Sequence, residues 1–120
     1  LIVEEKIILN PIYFEFDKSN ITNQAAFELD KLVAIMKKYP GMVISAESHT
    51  DNRGPASYNK LLSERRAKST AQYVISKGIS EERISGTGKG EEDPEIDCSG
   101  GCTKDEHAMN RRSEFIIVSR

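Results

Sequence analysis

The sequence predicts a mixed α/β domain in which two main helices pack on one face of a four-stranded sheet. Residues 22–39 and 56–77 contain no Gly or Pro and are long enough for helices. Short segments rich in β-branched and aromatic residues precede, separate and follow them. Strands separated by helices of this length form βαβ units with parallel pairing, which gives the order βαβαβ(α)β. The last strand has no long helix before it and could enter the sheet in either direction.

The first half of the chain supplies one helix between two strands. Residues 12–16 alternate with aromatic side chains and are interpreted as the first core strand, while residues 1–11 form either an edge strand or the end of a linker. Thr22 is the expected N-cap of the first helix, and Pro40 with Gly41 ends it. Its buried stripe recurs at helical spacing at Ala25, Leu29, Leu32, Val33 and Met36. Residues 42–46 carry few charges and are expected to form a central strand.

The second half begins with a helix over residues 55–77 that ends at Gly78, a residue typical of the C′ position. Three glycines, Gly86, Gly88 and Gly90, are expected to make the end of the next strand flexible. The remaining predicted elements are a strand at 84–87, an acidic loop at 89–102, a helical turn at 104–110 and a last strand at 113–118.

Length and composition indicate a single domain of 120 residues with one core. Charged residues make up 30% of the chain with a net charge of −2, which argues against a nucleic-acid surface built on positive charge. No apolar run approaches the roughly 18 residues that a membrane helix needs. The chain does not begin with Met, so we expect a domain over residues 12–120 of a longer precursor. Any membrane attachment would come through a region that precedes it.

Polar residues crowd together where a strand is expected to end and a helix to begin. Ser48, His49, Thr50 and Asp51 follow an apolar segment, and a turn signal leads to Pro55, whose fixed φ suits the first turn of a helix. Such a junction is the usual form of a site on an α/β scaffold.

Two side chains of the second predicted helix are expected to point in the same direction. Asn59 and Arg66 are seven residues apart, so they fall within roughly 20° of each other on an α-helix. They are expected to point away from the face of Ala71. Arg65 is turned by about a further 100° and is expected to be a surface charge.

The same polar segment contains His49 and Asp51 as an isolated H-x-D motif. Without further ligands or a nucleophile this motif is weak evidence for a metal site or a hydrolase, and Ser63 does not lie in a G-x-S-x-G elbow. We therefore expect neither enzyme activity nor a cofactor, and we expect His49 to form hydrogen bonds within the scaffold.

The two cysteines, Cys98 and Cys102, are four residues apart. A metal site would need more ligands than the nearby His107, and the spacing is not that of a C-x-x-C redox motif. A local disulfide in an exported protein is therefore favoured. So small a ring constrains the unfolded chain by only about 2 kcal/mol, so it would fasten a loop and not the whole fold.

Four ordered motifs resemble the C-terminal domain shared by OmpA-like, Pal-like and MotB-like proteins. Residues 47–54 read ESHTDNRG, Tyr58 and Asn59 follow, and residues 62–67 read LSERRA. Residues 13–17 read YFEFD, and Asn110-Arg111-Arg112 precedes the last strand. The resemblance covers residues 12–118.

This resemblance implies a non-catalytic domain that binds peptidoglycan in the periplasm and tethers an outer-membrane component to the cell wall. In the family, an Asp and an Arg bind the free amino and carboxylate groups at the side-chain end of meso-diaminopimelate. The residues of this chain that match the family's pocket are Asp51 and Arg66 for these two groups, Thr50 and Asn59 in its lining, Arg111 beside it, and Phe16 and Asp17 at its edge.

Each of these residues also has a purely structural interpretation. Asp51 and Arg66 could form a salt bridge that holds the turn to the helix, Arg111 could anchor a loop, and Asp17 could cap a turn. The rival class of function is a protein–protein scaffold module of the cell envelope that has lost its ligand. The presence of both Asp51 and Arg66 speaks against that class, because a scaffold needs neither zwitterion partner. Ser48 stands where the family usually has Gly. That Gly either needs a positive φ or, as we expect, lies at a strand end with ordinary dihedrals and only allows close packing, so the difference concerns the shape of the pocket and not its chemistry.

Overall fold

A computed structural model describes residues 2–3, 6–15, 18–92 and 96–119 of the chain. The elements are β1 (Ile2–Val3), β2 (Lys6–Tyr13), α1 (Asn23–Lys38), β3 (Val43–His49), α2 (Ala56–Ser76), a 3₁₀ turn (Glu81–Arg83), β4 (Ile84–Gly90), α3 (Lys104–Asn110) and β5 (Arg112–Ser119). The mixed α/β class predicted from the sequence is confirmed. In the described part of the chain, no helix combines the length and the apolar character needed to cross a membrane.

The strands form one five-stranded sheet in the order β1-β2-β5-β3-β4, where the sequence predicts four. β3 and β4 are parallel, as expected for a βαβ unit, whereas β5 lies between β2 and β3 and is antiparallel to both. β2 and β3 therefore run in the same direction without being neighbours. Because β5 inserts between β2 and β3, the lengths of the helices alone do not predict the strand order.

The N-terminal strand begins earlier than predicted. β2 starts at Lys6 and ends at Tyr13, where the alternating pattern favours residues 12–16. Pro11 has no N–H to donate to a neighbouring strand, and the register with β5 shifts between Ile7 and Ile12. The strand thus continues across the proline with an irregularity in its pairing.

Both long helices have the ends that the sequence predicts. The Thr22 hydroxyl accepts a hydrogen bond from the Ala25 N–H at 3.1 Å and caps α1. Gly78 follows α2 with a φ of 104°, a conformation that favours glycine. The helices pack with one face of the sheet into a single core, whose fully buried members include Leu29, Leu32, Met36, Ile44, Ala46 and Val74.

The sequence predicts that the glycines of β4 make the strand end flexible. In the structure, they instead allow α2 to pack closely on the sheet. A Cβ placed on Gly86 would lie 2.6 Å from the carbonyl oxygen of Ala67, and one on Gly88 would collide with the backbone and side chain of Glu64 and with Ser63. Real Cβ atoms almost never come so close to other heavy atoms. These contacts hold the middle turns of α2 against β4.

Candidate ligand-binding cleft

A cleft of about 210 Å³ lies where β3 ends and α2 begins. Sheet register brings the surrounding segments together. Ser48 of β3 pairs with Ser113 of β5, so the residues that follow β3 meet those that precede β5. The lining residues are Thr50, Asp51, Arg53, Gly54, Pro55, Tyr58, Asn59, Leu62, Arg66 and Arg111.

The carboxylate of Asp51 is buried at this cleft and held by two arginines. Its Oδ2 atom accepts hydrogen bonds from Arg53 Nη2 and Arg111 Nη1, each at 2.9 Å. Its Oδ1 atom accepts from the backbone N–H of Arg53 at 3.1 Å. Burial alone would raise the pKa of the Asp51 carboxyl, but the hydrogen bonds from Arg53 and Arg111 outweigh it and lower the pKa below its ordinary value. Asp51 therefore carries its charge throughout the neutral pH range.

The two arginines on Asp51 differ in how firmly they are held. Arg111 is 12% exposed, and its Nε atom also donates to the Phe14 carbonyl oxygen at 3.0 Å. The side chain of Arg53 is 37% exposed. Arg111 is thus bound both to Asp51 and to Phe14, which directly follows β2, whereas the guanidinium of Arg53 reaches solvent.

Arg66 lies on the floor of the cleft and is completely buried. Its guanidinium donates to three backbone carbonyl oxygens, those of Lys18 (2.8 Å), Glu15 (3.0 Å) and His49 (3.3 Å). The Phe14 ring faces it at 5.0 Å from the ring centroid. The salt bridge between Asp51 and Arg66 that the sequence allows is not formed, since Arg53 and Arg111 are the partners of Asp51.

Asn59 fastens the turn between β3 and α2. Its Nδ2 group lies 3.2 Å from the Asp51 carbonyl oxygen, 3.0 Å from that of Arg53 and 2.9 Å from Glu91 Oε1. Asn59 and Arg66 are both buried on the side of α2 that faces the cleft, whereas Arg65 is exposed. The side chains of Asn59 and Arg66 thus share a direction, and that direction leads into the protein.

Thr50 is a buried residue of the cleft lining. It is 3% exposed, and its backbone N–H donates to the Gly90 carbonyl oxygen at 2.9 Å. Its hydroxyl has no hydrogen-bond partner within the described residues.

The polar residues beside the cleft have scaffold contacts. Ser63 Oγ donates to the Lys60 carbonyl oxygen and accepts from the Gly90 N–H, each at 2.8 Å. Ser48 sits inside β3, and its Oγ lies 2.8 Å from Ser113 Oγ. Because this position is extended strand, it does not need the positive φ that would favour the family's Gly.

One group on the sheet has the composition of a metal site. Glu47, His49 and Glu114 place possible ligand atoms within 4.8 Å of one another. Glu114 is already paired with Arg112, whose Nη2 lies 3.1 Å from its carboxylate. Glu47 and Glu114 are direct cross-strand neighbours, so Arg112 offsets the repulsion between them.

The Asn110-Arg111-Arg112 segment performs three different tasks. Arg111 binds Asp51, Arg112 binds Glu114, and Asn110 holds the neighbouring loop through both backbone groups of Ile96, at 2.9 and 3.0 Å. That loop contains the predicted disulfide between Cys98 and Cys102, which is present.

The structure thus brings together Thr50, Asp51, Asn59, Arg66 and Arg111 of the residues nominated from the sequence. Phe16 and Asp17 lie outside the described residues. Sequence reasoning missed Arg53 and Glu91. The Asp-x-Arg spacing in the turn was a signal for Arg53, whereas the approach of Glu91 to Asn59 depends on the pairing of His49 with Gly90 and left no local signal.

Comparison with known proteins places this arrangement in a family. The profile of the OmpA family matches residues 13–110. The chain is 35% identical over 109 residues to outer membrane porin F of Pseudomonas fluorescens, covering 91% of this chain and 32% of that protein. It is 37% identical over 114 residues to outer membrane protein A of Bordetella avium, covering 94% and 57% respectively.

A solved structure has the same fold over nearly its whole length. The peptidoglycan-associated lipoprotein of Burkholderia pseudomallei superposes with a TM-score of 0.81 at 25% identity, covering 89% of this chain and 88% of that one. The chain spans less than two thirds of the porin F and outer membrane protein A relatives, so it corresponds to one part of those proteins. With the family profile matched over most of its length, this chain belongs to the OmpA family.

Proposed function

We propose that residues 12–120 form a domain that binds peptidoglycan non-covalently through the zwitterionic end of meso-diaminopimelate. The domain would act without catalysis, in the periplasm, and tether an outer-membrane-associated protein to the cell wall. The observation that carries the proposal is the cleft in which the Asp51 carboxylate and the Arg66 and Arg111 guanidinium groups converge. A relative of similar fold is named as a peptidoglycan-associated lipoprotein, which supports the same ligand class.

The charges of the cleft match both ends of an amino acid zwitterion. A carboxylate such as Asp51 accepts hydrogen bonds from an ammonium group, and a guanidinium group binds a carboxylate through parallel N–H···O bonds. Among the described residues, the lining carries three arginines and one aspartate, so their net charge favours the ligand carboxylate. Burial strengthens these charge interactions because little water competes with them.

The ammonium group would take the place of Arg53 on Asp51. An ionised carboxylate offers about four lone-pair sites, about two on each oxygen. Both sites on the Oδ2 atom are already taken by the guanidinium groups of Arg53 and Arg111. Arg111 is fixed to the Phe14 carbonyl oxygen, whereas Arg53 is partly exposed. Arg53 is therefore the group that can move away and make room for the ligand.

An apolar wall of the cleft fits the methylene chain of diaminopimelate. Leu62 is buried, Tyr58 is partly exposed, and Pro55 lies at the start of α2. Contact with this wall adds affinity without distinguishing the charged end, so the polar groups set the specificity.

The test is isothermal titration calorimetry of a diaminopimelate-containing muropeptide against the wild-type domain and two variants. Asp51→Asn keeps the side-chain shape and removes the charge that receives the ammonium group. We expect it to weaken binding by roughly 2–5 kcal/mol.

Arg65→Ala is the matched control, because Arg65 is an exposed charge on the same helix as Arg66. It should change binding by less than about 0.5 kcal/mol. Equal affinity of Asp51→Asn and wild type, with both folded by circular dichroism, would overturn the proposed role of the cleft. Absence of binding by the folded wild type would instead favour the scaffold function.

A further inference from the structure

A second cavity, of about 170 Å³, adjoins the cleft. Thr50 lines both cavities, and Asn59 of the cleft donates a hydrogen bond to Glu91 of the second cavity. We call this second cavity the acidic subsite. Its lining residues are Thr50, Asn52, Glu91, Asp97, Cys98, Ser99 and Asn110.

The hydroxyl of Thr50 indicates that a ligand group belongs at this boundary. Thr50 is 3% exposed, and its hydroxyl has no hydrogen-bond partner within the described residues. A buried hydroxyl without a partner is costly, and most buried polar groups in native proteins are paired. A ligand that extends from the cleft into the acidic subsite would pass Thr50, and rotation of the Thr50 side chain would turn its hydroxyl towards the ligand to pair with it.

The charge of the acidic subsite is opposite to that of the cleft. In the described part of the chain, its lining contains two carboxylates, Glu91 and Asp97, and no Lys or Arg. Glu91 Oε1 accepts from Asn59, while its second oxygen has no hydrogen-bond or ion-pair partner within the described residues. Such a surface accepts N–H donors and repels carboxylates.

The wall of the acidic subsite is fixed in place. The Cys98–Cys102 disulfide closes the loop, and Asn52 Nδ2 donates to the Cys98 carbonyl oxygen at 3.3 Å. Asn110 is 1% exposed and holds Ile96 of the same loop by two hydrogen bonds. The Asp97 carboxylate is therefore presented by a restrained loop, as a specific subsite requires.

We propose that the acidic subsite binds the amide N–H groups of the peptide that carries the diaminopimelate residue, next to the zwitterion in the cleft. This inference rests on the proposed function, since the zwitterion fixes the position from which the peptide extends. Thr50 would interact with the ligand between the two cavities, and Glu91 and Asp97 would accept charge-assisted hydrogen bonds from it.

The test compares two ligands on each protein by calorimetry, a diaminopimelate-containing tripeptide and D-2-aminopimelate, which keeps the zwitterion and the methylene chain but lacks the second nitrogen. The ratio of their affinities measures what the amide-linked part adds. Glu91→Gln retains an oxygen for Asn59, and Asp97→Asn retains one for the Ser99 N–H. We expect either substitution to reduce the ratio about three- to tenfold, as expected when a charged hydrogen-bond acceptor is replaced by a neutral one.

Two further measurements complete the design. Glu82→Gln removes the same charge from an exposed residue of the 3₁₀ turn and should leave the ratio unchanged. Reduction of the disulfide by a phosphine should lower the ratio in the wild type, because Cys98 forms part of the wall. A ratio that is the same in wild type, Glu91→Gln and Asp97→Asn, with both ligands bound, would overturn the acidic subsite alone. Failure of the folded wild type to bind either ligand would overturn the proposed function, and the subsite with it.

Discussion

Adjacent arginines on α2 have opposite environments. Arg65 is exposed, whereas Arg66 is completely buried against the Phe14 ring and three backbone carbonyl oxygens. Those carbonyl groups belong to Glu15, Lys18 and the end of β3, so Arg66 links three parts of the chain beneath the cleft. Arg66 therefore supports the site as well as lining it.

Arg66→Ala should destabilise the domain by more than about 3 kcal/mol, because it leaves several buried carbonyl groups without a donor and opens a cavity. Arg65→Ala should stay within about 0.5 kcal/mol of the wild type. Urea unfolding followed by circular dichroism measures both. Similar stabilities of the two variants would contradict the structural role of Arg66, and Arg66→Lys tests whether charge alone is enough.

Local spacing could nominate single residues but not their partners. The seven-residue interval between Asn59 and Arg66 predicts one shared direction, which the structure shows. Whether that direction leads outwards or inwards depends on how α2 packs on β4. Of the two arginines that bind Asp51, Arg53 is a local partner, whereas Arg111 comes within reach only after β5 pairs with β3 and so could not be predicted as a partner.

At the scale of elements, the packing of α2 on β4 places the cleft. The strand has no side chain at Gly86 or Gly88, so the helix backbone approaches it directly. Capping residues and a buried stripe made the helices predictable, because both are local features. The strand boundaries were less predictable, because β2 continues past Pro11 only through its pairing with β5.

Gly86→Ala tests this packing. The new Cβ would collide with the Ala67 carbonyl group, which is backbone and cannot simply turn aside. We expect a loss of about 1–3 kcal/mol in the free energy of unfolding, as for other overpacked sites. Gly100→Ala is the control, since a Cβ there meets nothing within 4 Å and Gly100 does not have a positive φ. A Gly86→Ala variant as stable as Gly100→Ala would show that α2 can move away without cost.

For the whole molecule, the position of β5 explains how distant segments form one site. β5 is antiparallel to both β2 and β3, so Arg111 at its start lies beside the ends of both strands. Asp51, Phe14 and Arg111 meet for this reason, although they are far apart in the sequence. The sequence left the direction of β5 open, and so it could indicate these residues without showing their geometry.

The central claim is that the cleft recognises a zwitterion by charge. Calorimetry at low salt should compare a diaminopimelate-containing muropeptide with the analogue in which the carboxylate beside the free amino group is amidated. The two ligands have nearly the same size, but the amide has no negative charge to pair with the guanidinium groups of the cleft. We predict that the acid binds more tightly by about 2–4 kcal/mol, and that the difference shrinks as salt rises. Equal affinity of the acid and amide forms would contradict the account.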